Sequence, residues 1–373
     1  MADKKKILLM YITESSGHHS ASLAIESALK EVLPSVQTLN INAFGYTNPI
    51  LEKVISRTYA EVIKKKPEVW EYLYDNPKIL KNAQGIRDAI HRFNSKKLKT
   101  LLKDFKPDAV VCTQAFPCGM VADCKRNLNL RLPLIGVLTD HAPHSYWIFN
   151  DVDWYITPSE ICKERFVKNG VSESRIKVFG IPIDPRFGVT HDKNRVHSEI
   201  GLDPKIPVVL IMGGSQGLGP VEDIVNMLEG IDIPFQLVVI CGTNKKLEKT
   251  LKKKITNPKK KILILGHVKN IDELMEVSSM VITKPGGLTT SEALSKDLPM
   301  IIVRPIPGQE AKNTEFLLQQ GVAVKAEDSD DIVVLAKELL LNNTKLDQMS
   351  KKASELKRPN AARDIAKLVL NIK

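Results

Sequence analysis

The chain has 373 residues, 43% of them apolar and 26% charged, with a net charge of +11. That length exceeds one typical core and implies two domains of roughly 150–200 residues, with the composition of a soluble globular protein. No apolar run approaches the ~18 residues of a spanning helix, and the run Leu8 to Ile12 is too short for a signal-peptide core.

The basic excess lies in two segments, 53–106 and 245–261, each eight charges positive, and the remainder is net acidic. Charge concentrated in this way favours an anionic surface as partner. Cys112, Cys118, Cys124, Cys162 and Cys241 form neither a CxxC pair nor a zinc-type spacing. Their odd number without a framework points to reduced thiols and a cytoplasmic location.

The chain begins with a buried-strand run, Lys6 to Ile12, followed by helical periodicity from Ser20 to Val32 and a second strand, Gln37 to Ile41. A long helical stretch, 49–104, is broken near Pro67 and Pro77. Strands are expected at Ala109–Thr113, Leu134–Leu138, Trp154–Thr157 and Ile176–Phe179, with a helix at Glu160–Asn169. Residues 186–206 carry prolines and charges without a long apolar period, and read as a linker. A second alternating block has strands at Val208–Met212, Gln236–Ile240, Lys261–Leu265, Met280–Thr283 and Met300–Val303. Helices at Asp331–Leu341 and Thr344–Leu356 close it. Continuous β-branched runs separated by helices imply parallel sheets covered on both faces. The expected fold is α/β: two Rossmann-like domains, 1–185 and 207–357, whose sheets face each other across a cleft. The helix at 360–373 is a candidate to pack back on the first domain.

Lys284-Pro285-Gly286-Gly287-Leu288-Thr289-Thr290-Ser291-Glu292 joins a strand to a helix. Paired glycines admit a ligand close to the backbone, and a helix start attracts phosphate. Glu292, one turn in, suits a ribose hydroxyl. Gln309 and Glu310 offer a donor and an acceptor for sugar hydroxyls. Together they read as a nucleotide-sugar site. Gly213 to Gly219 is a second glycine-rich strand-to-helix turn, but Cys241-Gly242-Thr243-Asn244 stands where a nicotinamide enzyme would place an acidic residue.

His18 follows the first strand, where an imidazole can act as a general base. Asp140, His144 and Trp147 cluster after the strand ending at Leu138, which suits a hydroxyl-bearing acceptor or a proton relay. Asp151-Val152-Asp153 matches a metal-binding DxD but precedes a strand, away from the phosphate motif. No metal is expected. Residues 46–74 mix an apolar helical face with Lys64, Lys65, Lys66, Trp70 and Tyr74, the pattern of an interfacial membrane helix. The lysine run 245–261 reads as a solvated helix face.

Taken in order, Gly17-His18, Lys66-Pro67…Trp70…Tyr74, Thr139-Asp140…His144…Trp147, Gly180-Ile181-Pro182-Ile183, Gly213-Gly214-Ser215, Cys241-Gly242…Asn244, Gly286 to Glu292 and Pro307-Gly308-Gln309-Glu310…Asn313 resemble one family. It is that of the monogalactosyldiacylglycerol synthases and bacterial diacylglycerol glucosyltransferases, relatives of the N-acetylglucosaminyltransferase that makes lipid II. Ser15-Ser16 replaces the glycine run that plant-type synthases carry before the histidine.

The resemblance implies a GT-B fold and an inverting, metal-independent hexosyltransferase, peripheral on the inner face of the membrane. A UDP-sugar would be the donor substrate, with no cofactor, and diacylglycerol the acceptor. Gly214, Ser215, Gly242, Asn244, Gly286, Gly287, Leu288, Thr289, Ser291, Glu292, Gln309, Glu310 and Asn313 would form the donor site. His18 or Asp140 would be the base, and His144, Trp147 and the 46–74 segment would meet acceptor and membrane. A polyprenyl-linked or other acceptor is the alternative. A non-catalytic nucleotide-sugar sensor is a further reading, and nucleic acid is disfavoured by the lack of a recognition module. The donor hexose, the number of sugars added and the oligomeric state are left open.

Overall fold

The computed structural model describes residues 4–14, 16–47, 96–142, 145–214, 216–217, 219–256 and 258–372. They form two compact units, Met1–Pro185 with Ile306–Gln309 and Pro359–Lys373, and Arg186–Pro305 with Glu310–Arg358.

The first unit holds strands β1 (Lys6–Tyr11), β2 (Gln37–Asn42), β3 (Ala109–Cys112), β4 (Leu134–Val137), β5 (Trp154–Thr157) and β6 (Ile176–Val178). They form one parallel sheet in the order β2-β1-β3-β4-β5-β6. Alternation along β1 divides its apolar run between two cores. Leu8 and Met10 pack with Cys118, Met120 and Val121 of helix Ala115–Leu128. Ile7 and Leu9 pack with α1 (Gly17–Val32) on the other face. The C-terminal helix, Ala361–Asn371, lies on that same face, where Ala362, Ile365 and Ala366 meet Ala24, Ile25 and Ala28. Small residues let the two helices approach closely, and Arg363 Nε donates to Glu31 Oε1 at 2.9 Å beside them.

The second unit repeats the plan with β7 (Val208–Met212), β8 (Gln236–Ile240), β9 (Ile262–Leu265), β10 (Met280–Thr283), β11 (Met300–Val303) and β12 (Ala323–Ala326). Its parallel order is β12-β11-β10-β7-β8-β9. The stretch 186–206, read as a linker, contains a helix, Lys193–Ile200, capped by the Asp192 carboxylate and ended by Gly201 at φ +69°. Only Val196 and His197 of that helix are buried, which is why no apolar period marks it.

In both sheets the chain leaves a central strand to one side and later returns to the other. These reversals fall between β1 and β3, and between β7 and β10. Open parallel sheets form ligand crevices outside the carboxyl ends of the strands at such points. His18 follows β1, and the Gly213 and Lys284 loops follow β7 and β10.

Candidate active site

α1 starts three residues before the sequence pattern suggests, because Ser16 caps it: the Ser16 hydroxyl accepts from His19 N at 3.2 Å. His18 is therefore in the first turn of the helix and not in the loop before it. Its Nδ1 lies 2.9 Å from the Thr113 carbonyl oxygen and 2.8 Å from the Thr139 hydroxyl. A carbonyl only accepts, so Nδ1 carries the proton and Nε2 keeps its lone pair. The Thr113 hydroxyl donates back to the His18 carbonyl at 2.8 Å. Thr113 and Thr139 follow β3 and β4, so three adjacent strands orient one ring. Burial pushes the His18 pKa below its ordinary value, opposed by the negative charge of Asp140 and the Thr113 carbonyl. The imidazole is thus held neutral, with a carboxylate positioned to stabilise the cation it becomes on taking a proton.

His19 faces other partners. It stacks on Tyr11 at 4.2 Å and its Nδ1 lies 3.3 Å from Glu14. Asp140 is half-buried at the end of the β4 segment.

In the second unit the helix after β10 runs Gly287–Ser295, with Gly286 as its N-cap and no capping side chain. Its first internal bond is Thr290 N to Gly286 O, so the N–H groups of Gly287, Leu288 and Thr289 precede the helical ladder. A Cβ on Gly286 would meet nothing within 4 Å, so open space stands over this helix start. Free amides and the helix dipole make it an anion cradle. Thr290 and Ser291 donate their hydroxyls to Gly286 and Gly287 carbonyls, at 3.0 and 2.8 Å, and face inward. Asn313 is fully buried and its Nδ2 donates to the Pro285 carbonyl at 3.0 Å. Glu292 is half-buried on the same helix. Glu310 lies 3.3 Å from Lys284 Nζ, and Gln309 begins the next helix, Gln309–Gln319.

The loop after β7 folds against the loop after β8. Gly214 and Gly217 have positive φ, +69° and +57°, and Gly217 packs on the Cys241 carbonyl. Asn244 accepts from Leu247 N at 3.0 Å as the cap of helix Lys245–Lys254, and donates to Gly217 O at 3.3 Å. Gly242 is also left-handed, at φ +56°. Asn244, Ser291 and Asn313 therefore brace the glycine loops.

Trp147 is 5% exposed and packs in the core with Leu138, Val152 and Tyr155, where it anchors its loop. Asp151 accepts from Arg126 Nε at 2.9 Å, and Asp153 from Leu134 N at 2.7 Å. Both acids precede β5, at the amino ends of the strands. Among the described residues no group of His, Cys, Asp or Glu is placed to hold a metal ion. Ser215, His144, Lys64, Lys65, Lys66, Trp70 and Tyr74 lie outside the described residues. Thr113, which the sequence reading missed, is marked only by its position after a β-branched strand.

Two such sheets, with a glycine-bounded anion cradle at one reversal and an oriented histidine at the other, define a GT-B protein. The comparisons agree. Residues 18–183 match the monogalactosyldiacylglycerol (MGDG) synthase model and residues 208–369 the glycosyltransferase family 28 C-terminal domain. A processive diacylglycerol beta-glucosyltransferase of Bacillus cytotoxicus is 30% identical, covering 99% of this chain and 94% of the relative. Among solved structures, MurG of Acinetobacter baumannii has a TM-score of 0.63 at 15% identity, covering 99% of this chain and all of MurG. A Neisseria meningitidis UDP-GlcNAc 2-epimerase bound to UDP-GlcNAc has a TM-score of 0.62 at 14% identity, covering 98% of this chain and 100% of that one. An epimerase on the same fold shows that fold alone does not choose the reaction. The chain belongs to the diacylglycerol glycosyltransferase family.

Proposed function

We propose that this protein transfers a hexose from a UDP-sugar to diacylglycerol at a membrane surface, with inversion and without a metal ion. The observation that carries the reading is the orientation of His18, whose Nδ1 is held by Thr113 and Thr139 so that Nε2 is the free base. The acceptor hydroxyl gives its proton to Nε2 as its oxygen bonds to the anomeric carbon. The bond from that carbon to the diphosphate oxygen breaks, and the electron pair leaves with UDP. Attack and departure on opposite faces invert the centre, as in inverting glycosidases. Asp140 stabilises the imidazolium, so the two candidate bases share one step. The amides of Gly287, Leu288 and Thr289 meet the charge on the departing diphosphate. Glu292 binds the ribose, and Gln309 and Glu310 hold sugar hydroxyls. The segment 46–74 brings the lipid acceptor.

The diacylglycerol acceptor is favoured over a polyprenyl-linked sugar by the family and by the name of the 30% identical relative. The test is UDP release from a panel of UDP-hexoses, in EDTA, with anionic vesicles that contain or lack diacylglycerol. Diacylglycerol-dependent release with one donor supports the reading. Release that needs another lipid, or a divalent cation, refutes the acceptor or the metal-free chemistry respectively.

A further inference from the structure

Arg304 stands immediately after β11 in a left-handed backbone conformation, at φ +42°. Pro305 follows it, and a residue before proline is driven towards extended backbone, so the conformation is disfavoured twice. Nothing local explains it. The position holds neither a glycine nor one of the small polar side chains that tolerate this region. Strain of this kind persists where the surrounding structure imposes it, and it concentrates at ligand sites.

The sheet register shows where the side chain starts. Thr283 of β10 lies opposite Ile302 of β11. Arg304 comes two residues after Ile302, at the level where β10 gives way to Pro285 and the Gly286 cap. It emerges beside the anion cradle. The loops after β7, β10 and β11 contain two cations, Lys284 and Arg304. Lys284 is answered by Glu310 at 3.3 Å. Arg304 is exposed and makes no side-chain hydrogen bond or ion pair with a described residue. An exposed, unpaired guanidinium whose backbone stands level with the start of this helix can reach its open amides, and its fork matches the geometry of a phosphate.

We propose that Arg304 grips the diphosphate of the nucleotide-sugar donor. The electron pair released when the anomeric carbon–oxygen bond breaks is then held on an oxygen that this guanidinium faces. The inference rests on the nucleotide-sugar reading of the cradle.

The test compares UDP and uridine binding to the full chain, by titration calorimetry and saturation-transfer NMR, in the native protein and in Arg304→Gly, Arg304→Ala and Arg304→Lys. Glycine relieves the backbone strain and alanine keeps it, so a shared loss in both reports the guanidinium. UDP affinity is expected to fall about tenfold or more in Arg304→Gly and Arg304→Ala and less in Arg304→Lys, with uridine binding unchanged and the Arg304→Gly melting temperature not lowered. Native UDP affinity in Arg304→Gly overturns the proposal, as does an equal loss for UDP and uridine, while the nucleotide site stands. A native protein that binds neither UDP nor any UDP-sugar overturns the underlying reading as well.

Discussion

Three glycines of the second unit separate what the fold needs from what a ligand needs. At Gly217 the backbone has φ +57°, and an added Cβ would overlap the Cys241 carbonyl oxygen, with Cys241 C at 2.9 Å and Asn244 Cβ at 3.0 Å. That carbonyl cannot easily give way. It accepts from Asn244 N at 3.1 Å, and Cys241 N is itself fixed to Leu265 O at 2.8 Å. A left-handed alanine costs about 1–2 kcal/mol and overpacking a further ~1–3 kcal/mol. Gly217→Ala should therefore lose roughly 2–5 kcal/mol. Gly214, at φ +69° with nothing within 4 Å of an added Cβ, should lose the backbone cost alone, about 1–2 kcal/mol. Gly286 has φ −67° and open space, so alanine costs it only its advantage as a cap, about 1 kcal/mol. With ~2–4 °C lost per kcal/mol, scanning calorimetry should rank the melting temperatures Gly286→Ala, Gly214→Ala, Gly217→Ala from highest to lowest. UDP titration should show the opposite pattern for Gly286→Ala. On the proposed cradle its methyl would stand where a diphosphate meets the helix amides, and losing one charge-assisted bond, ~1.5–3 kcal/mol, should weaken binding about 10–100-fold. Native UDP affinity in a stable Gly286→Ala protein would refute the anion cradle.

His18→Gln should slow transfer by about 10²–10⁴-fold and leave UDP affinity unchanged. Because burial lowers the His18 pKa, kcat/KM of the native enzyme should hold as pH falls through 6.5 and decline only below it, which a pH–rate profile checks. A limb above pH 7 that His18→Gln abolishes would contradict the assignment. His141 is buried and its pKa is pushed down to about 4 by desolvation. The stability it lends is complete above its unfolded pKa near 6.5 and is lost as pH falls towards 4, on the order of 3 kcal/mol by denaturant titration. His141→Phe should flatten that slope. Asn313→Ala should cost about 1–3 kcal/mol by stranding the buried Pro285 carbonyl and should weaken UDP binding with it. A variant as stable as the native chain would show that this bond does not brace the cradle.

The parallel strands were legible because they are buried on both faces, and so spell continuous apolar runs such as Val208–Met212. The glycine motif before Glu292 was legible because strand, cap and helix are contiguous there. Relations between distant segments were not. The Thr113 and Thr139 contacts to His18 span 95 and 121 residues, and no local pattern encodes them. Nor does sequence reveal that Gly217 exists to clear the Cys241 carbonyl, or that Asn244 serves both a helix cap and a neighbouring loop. The burial of Trp147 was not legible either, because an aromatic in a polar loop looks the same whether it faces a ligand or its own core. The helix Lys193–Ile200 was hidden by having only two buried residues.

The central claim is inverting transfer from a nucleotide sugar to diacylglycerol. Its most direct measurement is the anomeric configuration of the product. The protein is incubated with diacylglycerol vesicles and the UDP-hexose that supports turnover, and the extracted glycolipid is examined by proton NMR. An α-linked UDP-hexose should give a β-glycoside of diacylglycerol. An α-glycoside, or label that never enters a diacylglycerol product, would contradict the account.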